Sequence, residues 1–381
     1  MRRLATLVAL AATACGAPEA LPEAPALEIT EVLAGDSTGF ARADAPRDFS
    51  FPRDHGSHPD FRTEWWYYTG HLQSDDARDF GFQLTFFRSA LGSSNAPVAL
   101  RSAWRADNLW MGHLAVGDYA ANRFWPFERF ARGAAGLAGA RSDGLGVWLE
   151  DWQATAHRPA ERSSSVQLRA HADGVGIDLI VEPVVEPLLQ GNAGLSQKGE
   201  AAGNASYYYS VTRWRARGSV TLPGEVVPVT GTAWLDREWS SSALESGQVG
   251  WDWFSLQLAG GSDLMLYVMR RADGTVDRHS SGTWRSTTGE IVRLSADAFD
   301  LTATSTWLAP SEVRYPATWQ LRIPELDLEL AITPRMADQE LRLAFRYWEG
   351  GVDARGTRAG EAIDGKGFAE LTGYGATPDR P

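Results

Sequence analysis

The sequence contains one cysteine, Cys15, so the chain forms no internal disulfide and carries no paired-thiol metal or redox site. Lysine is scarce as well, since Lys198 and Lys366 are the only two among 36 basic residues. Because the formal net charge is −12 and no basic run occurs, the composition argues against a nucleic-acid partner. A GxSxG match occurs only at GDSTG (35–39), where no strand and helix pattern flanks it to form a nucleophile elbow, and the chain lacks a Walker loop and a dinucleotide-binding glycine motif. We therefore predict no cofactor and no serine-hydrolase activity.

Tryptophan is abundant, with 16 in 381 residues, and four aromatic rings stand together in TEWWYYTGHL (63–72). Alternate side chains of a β-strand point to opposite faces. Trp65 and Tyr67 then share one face, while Trp66 and Tyr68 share the other. We expect one face to meet a core and the other to meet a second domain or a ligand.

The first fifteen residues, MRRLATLVALAATAC, have the pattern of a bacterial lipoprotein signal peptide. Two arginines precede an apolar stretch that is too short for a mature membrane-spanning helix. Small residues then lead to Cys15, which is the expected lipidation site. Residues 16–49 begin with a Pro-, Ala- and Glu-rich run and are interpreted as an extended tether. The expected location is the periplasmic face of the cell envelope, with the lipid in the outer membrane of a Gram-negative cell.

From about Ser50 onward, short segments alternate apolar and polar residues between turn signals, and no long amphipathic helix pattern occurs. The pattern predicts an all-β protein. Segment 64–88 parallels segment 250–271, and segment 207–239 parallels segment 345–375. We therefore predict two copies of one β unit, as domains 50–245 and 246–381. Closing each copy into a barrel would remove its exposed sheet edges.

Five segments of the chain resemble the AttH and carotenoid 1,2-hydratase (hydroxyneurosporene synthase) group: FPRDHGSHPDFRTEWWYYTGHL, GFQLTFFRSAL, GNASYYYSVTR, GTAWLDREWSSSAL and GWDWFSLQL. The resemblance runs over essentially the whole mature chain. It implies two tandem lipocalin-like (calycin) β-barrels packed together, with a ligand site associated with them. It leaves the activity open, because the group includes enzymes that add water to a carotenoid double bond and many members without an assigned reaction. For lipoprotein members it also implies an ABC-type transporter permease as a partner.

The densest group of reactive residues lies in GTAWLDREWSS (231–241), where Trp234, Asp236 and Glu238 share one face of a strand. Carboxyls near apolar rings can have separated pKa values, with one raised into a working acid. Hydration of an isolated alkene needs such a proton donor and aromatic faces that stabilise the resulting cation. Asp236 is our first choice as proton donor, and Glu238 is the second catalytic candidate. The candidate ligand-binding residues are Trp65, Tyr67, Trp234, Trp251, Trp253 and His113.

The same region also supports a purely structural interpretation. Arg237 is expected to pair with Glu64 or Asp252, because arginine forks suit partly buried carboxylates. Arg88 is a second candidate partner of Glu64, and Arg270 or a tyrosine hydroxyl is a candidate partner of Asp252. These pairs would tie strands and domains together without taking part in chemistry.

The histidines give weaker signals. His113 fits an acid–base role or a hydrogen-bonded core position. His55 and His58 form only a weak ligand pattern on a loop, so no metal site is predicted.

Three functions fit these observations. The leading hypothesis is a lipid-anchored envelope protein that binds an apolar or amphipathic, isoprenoid- or lipid-like small molecule and assists an ABC-type export system. The second is a hydro-lyase or isomerase that acts on a carotenoid- or isoprenoid-like alkene with Asp236 as proton donor. The third is a structural accessory protein in which side chains fill both barrels.

Overall fold

The computed structural model describes residues 37–92, 107–242 and 244–375, and these residues are almost entirely β-structure. The predicted signal peptide and Cys15 lie outside the described residues. Short 3-10 turns occur at Arg53–His55, Ala134–Gly136, Ala259–Gly261 and Pro324–Leu326. Within the described ranges, no helical segment has the length and apolar character needed to cross a membrane.

The strands form two sheets. The 13-stranded first sheet contains β1 (Thr63–Gln73), β2 (Asp79–Ala90), β3 (Asn108–Asp118), β4 (Arg123–Arg132), β5 (Ala138–Ala140), β6 (Gly146–Leu149), β7 (Trp152–Ala156), β8 (Val166–Ala172), β9 (Val175–Pro183), β10 (Leu188–Leu189), β11 (Leu195–Gln197), β12 (Ala205–Leu222) and β13 (Glu225–Ser240). The 10-stranded second sheet contains β14 (Gln248–Leu258), β15 (Asp263–Arg271), β16 (Ser281–Arg285), β17 (Ile291–Ser295), β18 (Asp300–Leu308), β19 (Arg314–Ile323), β20 (Leu328–Pro334), β21 (Glu340–Arg342), β22 (Arg346–Arg358) and β23 (Glu361–Leu371).

Both sheets follow the same order of antiparallel pairing. The first runs β4-β3-β2-β1-β13-β12-β9-β8-β7-β6-β5, with β10 and β11 paired to β12. The second runs β17-β16-β15-β14-β23-β22-β20-β19-β18, with β21 paired to β22. Strands β1, β13 and β12 therefore have β14, β23 and β22 as counterparts. The predicted all-β class with two barrel-like sheets is confirmed.

Each sheet encloses its own apolar core. Trp66 and Trp152 are fully buried in the first core, and Trp284 and Trp319 are at most 1% exposed in the second. Because protein interiors are close-packed, rings of this size leave little free space inside either sheet. A ligand cavity must therefore be sought between the sheets rather than within them.

A third apolar cluster joins the two sheets, and it includes Tyr67, Trp234, Trp253 and Phe368. The alternation of β1 explains this arrangement, because Trp66 enters the first core while Tyr67, on the opposite face, meets the second sheet. Both faces of this strand are covered, as the four consecutive rings predict.

Polar contacts reinforce this junction. Thr212 donates to Oδ2 of Asp263 at 2.8 Å, and Nη2 of Arg213 lies 2.7 Å from Oδ1 of the same carboxylate. Arg335 of the second sheet reaches Asp79 of the first at 2.6 Å. The two barrels thus meet through both ring packing and buried ion pairs.

The end of the predicted tether differs from an extended, solvated segment. Ala43 is fully buried, and the ring of Phe49 lies 5.6 Å from that of Trp239. The backbone oxygen of Ala45 accepts a hydrogen bond from Tyr207 at 2.8 Å. This part of 16–49 packs on the first barrel because Phe49 and its neighbours bury apolar surface there.

A buried ion cluster fixes β1 against its neighbours. Glu64 has no exposed surface, and its carboxylate binds the guanidinium groups of both Arg88 (Nε to Oε1, 2.5 Å) and Arg237. The backbone N–H of His58 also donates to it at 3.0 Å. The guanidinium of Arg237 lies 3.8 Å from the ring centroid of Trp66. Despite burial, these two cations and the side chain of His58 hold the pKa of Glu64 well below its usual range.

We expect Glu64→Gln to lower the free energy of unfolding by about 3–5 kcal/mol, because it leaves two buried guanidinium groups without their counter-ion. Denaturant titration measures the change. The matched control is Glu161→Gln, which removes one partner of the exposed Arg158–Glu161 pair and should change stability by less than about 1 kcal/mol. Equal unfolding midpoints for Glu64→Gln and the control would contradict this role of the cluster.

Candidate active site

A cavity of about 120 Å³ lies between the two sheets, with walls from both. Strands β1, β2, β12 and β13 supply one wall, and β14, β15, β22 and β23 supply the other. Its lining residues are Trp65, Tyr67, Gln83, Phe87, Lys198, Ser206, Tyr208, Asp236, Glu238, Ser240, Ser242, Leu244, Trp251, Trp253, Tyr267, Met269, Tyr347, Glu349 and Glu370. The cavity thus combines aromatic rings with four carboxyl groups.

Strand register explains why the carboxyls meet. In the first sheet, Tyr67 of β1 lies opposite Asp236 of β13, which in turn lies opposite Ser210 of β12. Side chains directly opposite on antiparallel strands share a face. Asp236 therefore points out of the first barrel together with Tyr67.

The second sheet repeats this row. Trp253 of β14 lies opposite Glu370 of β23, which lies opposite Glu349 of β22. Because the two sheets have the same strand order, Glu370 occupies the place of Asp236, and Glu349 occupies the place of Ser210. The cavity forms where these two equivalent rows face each other.

Asp236 is only 4% exposed, and three hydrogen-bond donors contact its carboxylate. The hydroxyls of Tyr208 and Ser210 each donate to its carboxylate at 2.5 Å, and Nε1 of Trp234 donates at 2.7 Å. Burial nevertheless raises the pKa of Asp236 to about 7. At neutral pH this carboxyl can therefore hold a proton, and its anion has hydrogen bonds ready once the proton leaves.

Lys198 is the only cation among the described residues that line the cavity. Its Nζ lies 3.5 Å from Oε1 of Glu238 and 4.0 Å from the ring centroid of Tyr267. This ion pair accounts for one carboxylate. The other three acids face a cavity without a further cation, so burial favours their neutral forms.

Glu349 and Glu370 are the second pair of acids. Burial raises the pKa of Glu349 well above its ordinary value, and the adjacent charge of Glu370 adds to the rise. Burial likewise raises the pKa of Glu370 to about 8. The hydroxyl of Tyr67 crosses from the first sheet and donates to Oε1 of Glu349.

Trp65, Tyr67, Trp251 and Trp253 line the cavity, together with both candidate catalytic residues, Asp236 and Glu238. Trp253 is also connected to the opposite wall, because its Nε1 donates to the hydroxyl of Tyr208 at 3.1 Å.

Two of the predicted ligand-binding residues do not line the cavity. Trp234 is turned onto Asp236, which accepts its N–H, and its ring packs behind that of Trp253 at 6.4 Å. His113 stands behind Tyr347, with Nδ1 2.6 Å from the tyrosine hydroxyl. Burial lowers the pKa of His113 to about 3, so it is a neutral supporting group rather than a charged ligand contact.

Arg237 and Asp252, which were expected to pair, belong to two separate ion pairs. Arg237 pairs with Glu64 and not with Asp252. Asp252 instead binds Nε of Arg270 at 2.9 Å and accepts a hydrogen bond from Tyr374 at 2.9 Å. The reason is strand alternation, which places Asp252 on the face of β14 opposite to Trp251 and Trp253.

Sequence reasoning missed several cavity residues, namely Lys198, Tyr208, Tyr267, Tyr347, Glu349 and Glu370. A signal for one of them was present in the internal repeat. Aligning segments 207–239 and 345–375 on their pattern of aromatic residue, small or apolar residue and acid places Glu370 over Asp236.

One group of possible metal ligands occurs in the described ranges, away from the cavity lining. Ligand atoms of Glu245, Asp277 and His279 lie within 4.8 Å of one another. Asp277, however, already binds the guanidinium of Arg271 at 2.7 Å. That positive charge offsets one of the two carboxylate charges of the cluster.

The raised pKa values of Asp236 and Glu370 predict a fold that loses stability between pH 5 and pH 8. Acids with raised folded-state pKa values stabilise most below about pH 4, and this contribution falls as pH rises through 7 to 8. The expected slope is at most about 1.4 kcal/mol per pH unit for each group. Asp236→Asn should remove its share, as measured by unfolding at several pH values.

Asp273→Asn is the matched control for this experiment. Hydrogen bonds from the hydroxyl and the backbone N–H of Thr275 lower the pKa of Asp273 below its ordinary value, so its titration lies outside the pH range tested. Its change in unfolding free energy should be constant from pH 5 to pH 8. An equally constant difference for Asp236→Asn would show that this carboxyl is ionised throughout the range.

Comparison with known proteins identifies relatives along most of the chain. The sequence profile described as AttH-like matches residues 42–374. Kievitone hydratase of Fusarium solani subsp. phaseoli is 25% identical over 222 residues, which are 56% of this chain and 61% of that protein. The match thus spans about three fifths of the length of this curated relative.

Solved structures extend the likeness to the whole fold. An AttH-type protein of Nitrosomonas europaea is 35% identical, with a TM-score of 0.77, and the match covers 88% of this chain and 100% of that chain. Kievitone hydratase of Nectria haematococca shares the fold at 16% identity, with a TM-score of 0.68 and coverage of 90% and 97%. From the profile match and the like-folded relative of 35% identity, we conclude that the chain belongs to the AttH-like family.

Proposed function

We propose that this protein is a hydro-lyase that adds water to a carbon–carbon double bond of an apolar or amphipathic, isoprenoid-like substrate in the cavity between the barrels. The observation that carries the proposal is Asp236, a buried carboxyl with a pKa of about 7 beside aromatic rings. The similarity to kievitone hydratase, whose name states a hydration, supports the reaction class.

Protonation of an isolated alkene produces a carbocation, so the site must stabilise both products of the proton transfer. The carboxylate of Asp236 is stabilised by hydrogen bonds from Tyr208, Ser210 and Trp234. The cation would be stabilised by ring faces, for which Trp65, Trp251 and Trp253 are candidates in the lining. Water then adds to the cation and releases a proton, which a carboxylate of the cavity accepts and which restores the acid form of Asp236, so that the net change is the addition of one water molecule.

Binding without turnover is the second candidate function. The aromatic lining suits an apolar ligand, and the filled cores direct such a ligand to the space between the sheets. The proton that Asp236 can hold at neutral pH is needed to hydrate an alkene but not to bind one, and this favours the enzyme. Turnover assays distinguish the two candidates.

Asp236→Asn should reduce hydration by about 10²-fold or more, because general acid catalysis contributes rate factors of this size. The assay incubates the protein with kievitone and with acyclic carotenoids in ¹⁸O-labelled water and measures labelled alcohol by mass spectrometry. Asp178→Asn is the control, since Asp178 lies on β9 outside the cavity lining and is bound by Gln167 at 3.1 Å. Full activity in Asp236→Asn would exclude this residue as the proton donor.

We also propose that the chain is anchored to the periplasmic side of the envelope through a lipid on Cys15, where an ABC-type permease would be its partner. Cys15→Ser should move the protein from the membrane fraction to the soluble fraction in its host. Metabolic labelling with a fatty-acid probe, followed by fractionation, measures this. Unchanged membrane association without label would contradict the anchor.

A further inference from the structure

Glu349 carries a buried oxygen atom without a partner. The side chain lines the cavity, is 1% exposed, and accepts the hydroxyl of Tyr67 at Oε1. Its Oε2 has no hydrogen-bond partner among the described residues. An unsatisfied buried polar group is costly, so native sites rarely keep one without a use.

The nearest candidate partner is the hydroxyl of Tyr347, which lies close enough to lower the pKa of Glu349 but makes no hydrogen bond of normal geometry to Oε2. Tyr347, on the same face of β22, accepts the amide of Gln83 at 2.9 Å and shares a 2.6 Å hydrogen bond with Nδ1 of His113. Burial keeps His113 neutral, so Nδ1 can accept the tyrosine proton. In the tautomer with a free Nδ1 lone pair, the hydroxyl of Tyr347 donates to His113 rather than to Glu349.

The protonation of Glu349 decides what the free oxygen can do. Glu370 lies directly opposite on β23, and like charges directly opposite destabilise a sheet. Burial and this neighbour raise the pKa of Glu349 well above its ordinary value, which favours the neutral acid. Because Tyr67 donates to Oε1, the acid proton belongs on Oε2, which then is a hydrogen-bond donor without an acceptor.

We propose that Oε2 of Glu349 donates a hydrogen bond to an oxygen of the bound ligand, so that the substrate is an isoprenoid-like alkene bearing a carbonyl or ether oxygen rather than a pure hydrocarbon. This rests on the proposed function in so far as the same cavity is the substrate site. Asp236 acts on the alkene from the first sheet, while Glu349 holds the oxygenated part from the second. A hydrocarbon would leave the donor unsatisfied.

The closest precedent in principle is a carboxylic acid that is kept neutral by an apolar site so that it can donate a hydrogen bond. Sites built around such a donor discriminate strongly against ligands that lack the matching group, because the buried polar atom is then left unpaired. The ionisable groups that face Glu349 or share its cavity are Tyr67 from β1, Tyr208 from β12, Asp236 and Glu238 from β13, Tyr267 from β15, Tyr347 from β22, Glu370 from β23, and Lys198.

The test compares two ligands of equal shape: geranylacetone, and its analogue in which a methylene group replaces the ketone oxygen. Quenching of tryptophan fluorescence reports binding, because three tryptophans line the cavity. Wild-type protein at pH 7 should bind the ketone about tenfold more tightly or better. Glu349→Met should abolish the preference, since it keeps the length of the side chain but has no donor.

Glu349→Gln separates donation from charge and guards against misfolding of the methionine variant. Its amide keeps both an acceptor for Tyr67 and a donor for the ligand, so the preference should persist. It should also persist as the pH is raised, whereas the wild-type preference falls once the carboxyl pair loses its protons. Glu329→Gln, on the exposed face of β20, is the matched control and should behave as wild type.

Equal affinity of wild-type protein for the two ligands, or no binding of either, would overturn the proposal. So would a ketone preference that survives Glu349→Met. The assay is independent of turnover. A ketone preference without hydration would refute the hydro-lyase but support Glu349 as a hydrogen-bond donor to the ligand. Hydration that depends on Asp236, without any ketone preference, would support the hydro-lyase but refute this role of Glu349.

Discussion

The carboxylate of Glu64, shared by Arg88 and Arg237, sets the register on which the site depends. It ties β1 to β2 and β13 at one end, where Arg88 and Arg237 project from these neighbouring strands. A slip of one residue would turn every side chain of β1 to the other face. Tyr67 would then enter the first core, and the row that contains Asp236 would lose its partner. The buried ion cluster thus takes no part in the proposed chemistry, but it determines which side chains reach the cavity.

The cavity contains more acidic than basic side chains among the described residues. Four carboxyls share a buried space with one ammonium group, that of Lys198. A cavity of this kind remains stable only if some of its acids keep their protons, since burying unpaired charges is costly. The same condition supplies what acid catalysis and hydrogen-bond donation require. Function and the destabilisation of the fold at high pH therefore have a common cause.

Local sequence patterns were sufficient for much of the fold. Alternation along EWWYY divided the four rings between two faces, and the motifs around Asp236 indicated the family. The structure then places Trp66 in a core and Tyr67 against the second sheet. These features depend on neighbours along one strand. The contacts at the end of the predicted tether were harder to predict, because the packing of Phe49 on Trp239 joins parts of the chain that are far apart in sequence.

The opposing wall could not be predicted in the same way. Glu349 reaches the cavity only because β22 pairs with β23 and the whole second sheet turns this face toward β1. Nothing next to Glu349 in RYWEGG signals a buried acid, and His113 was assigned to ligand contact although Tyr347 stands in front of it. Packing between sheets depends on the sum of many weak contacts, which no single motif records.

The site lies where equivalent strands of two like-ordered sheets face each other, the place that a symmetry axis would occupy in a homodimer. In a homodimer each position would occur twice, and Ser210 and Glu349 could not differ. A single chain that contains both halves is free of that restraint. Evolution can alter one wall while it preserves the other, so members of such a family can diverge in chemistry by single substitutions without rebuilding either barrel.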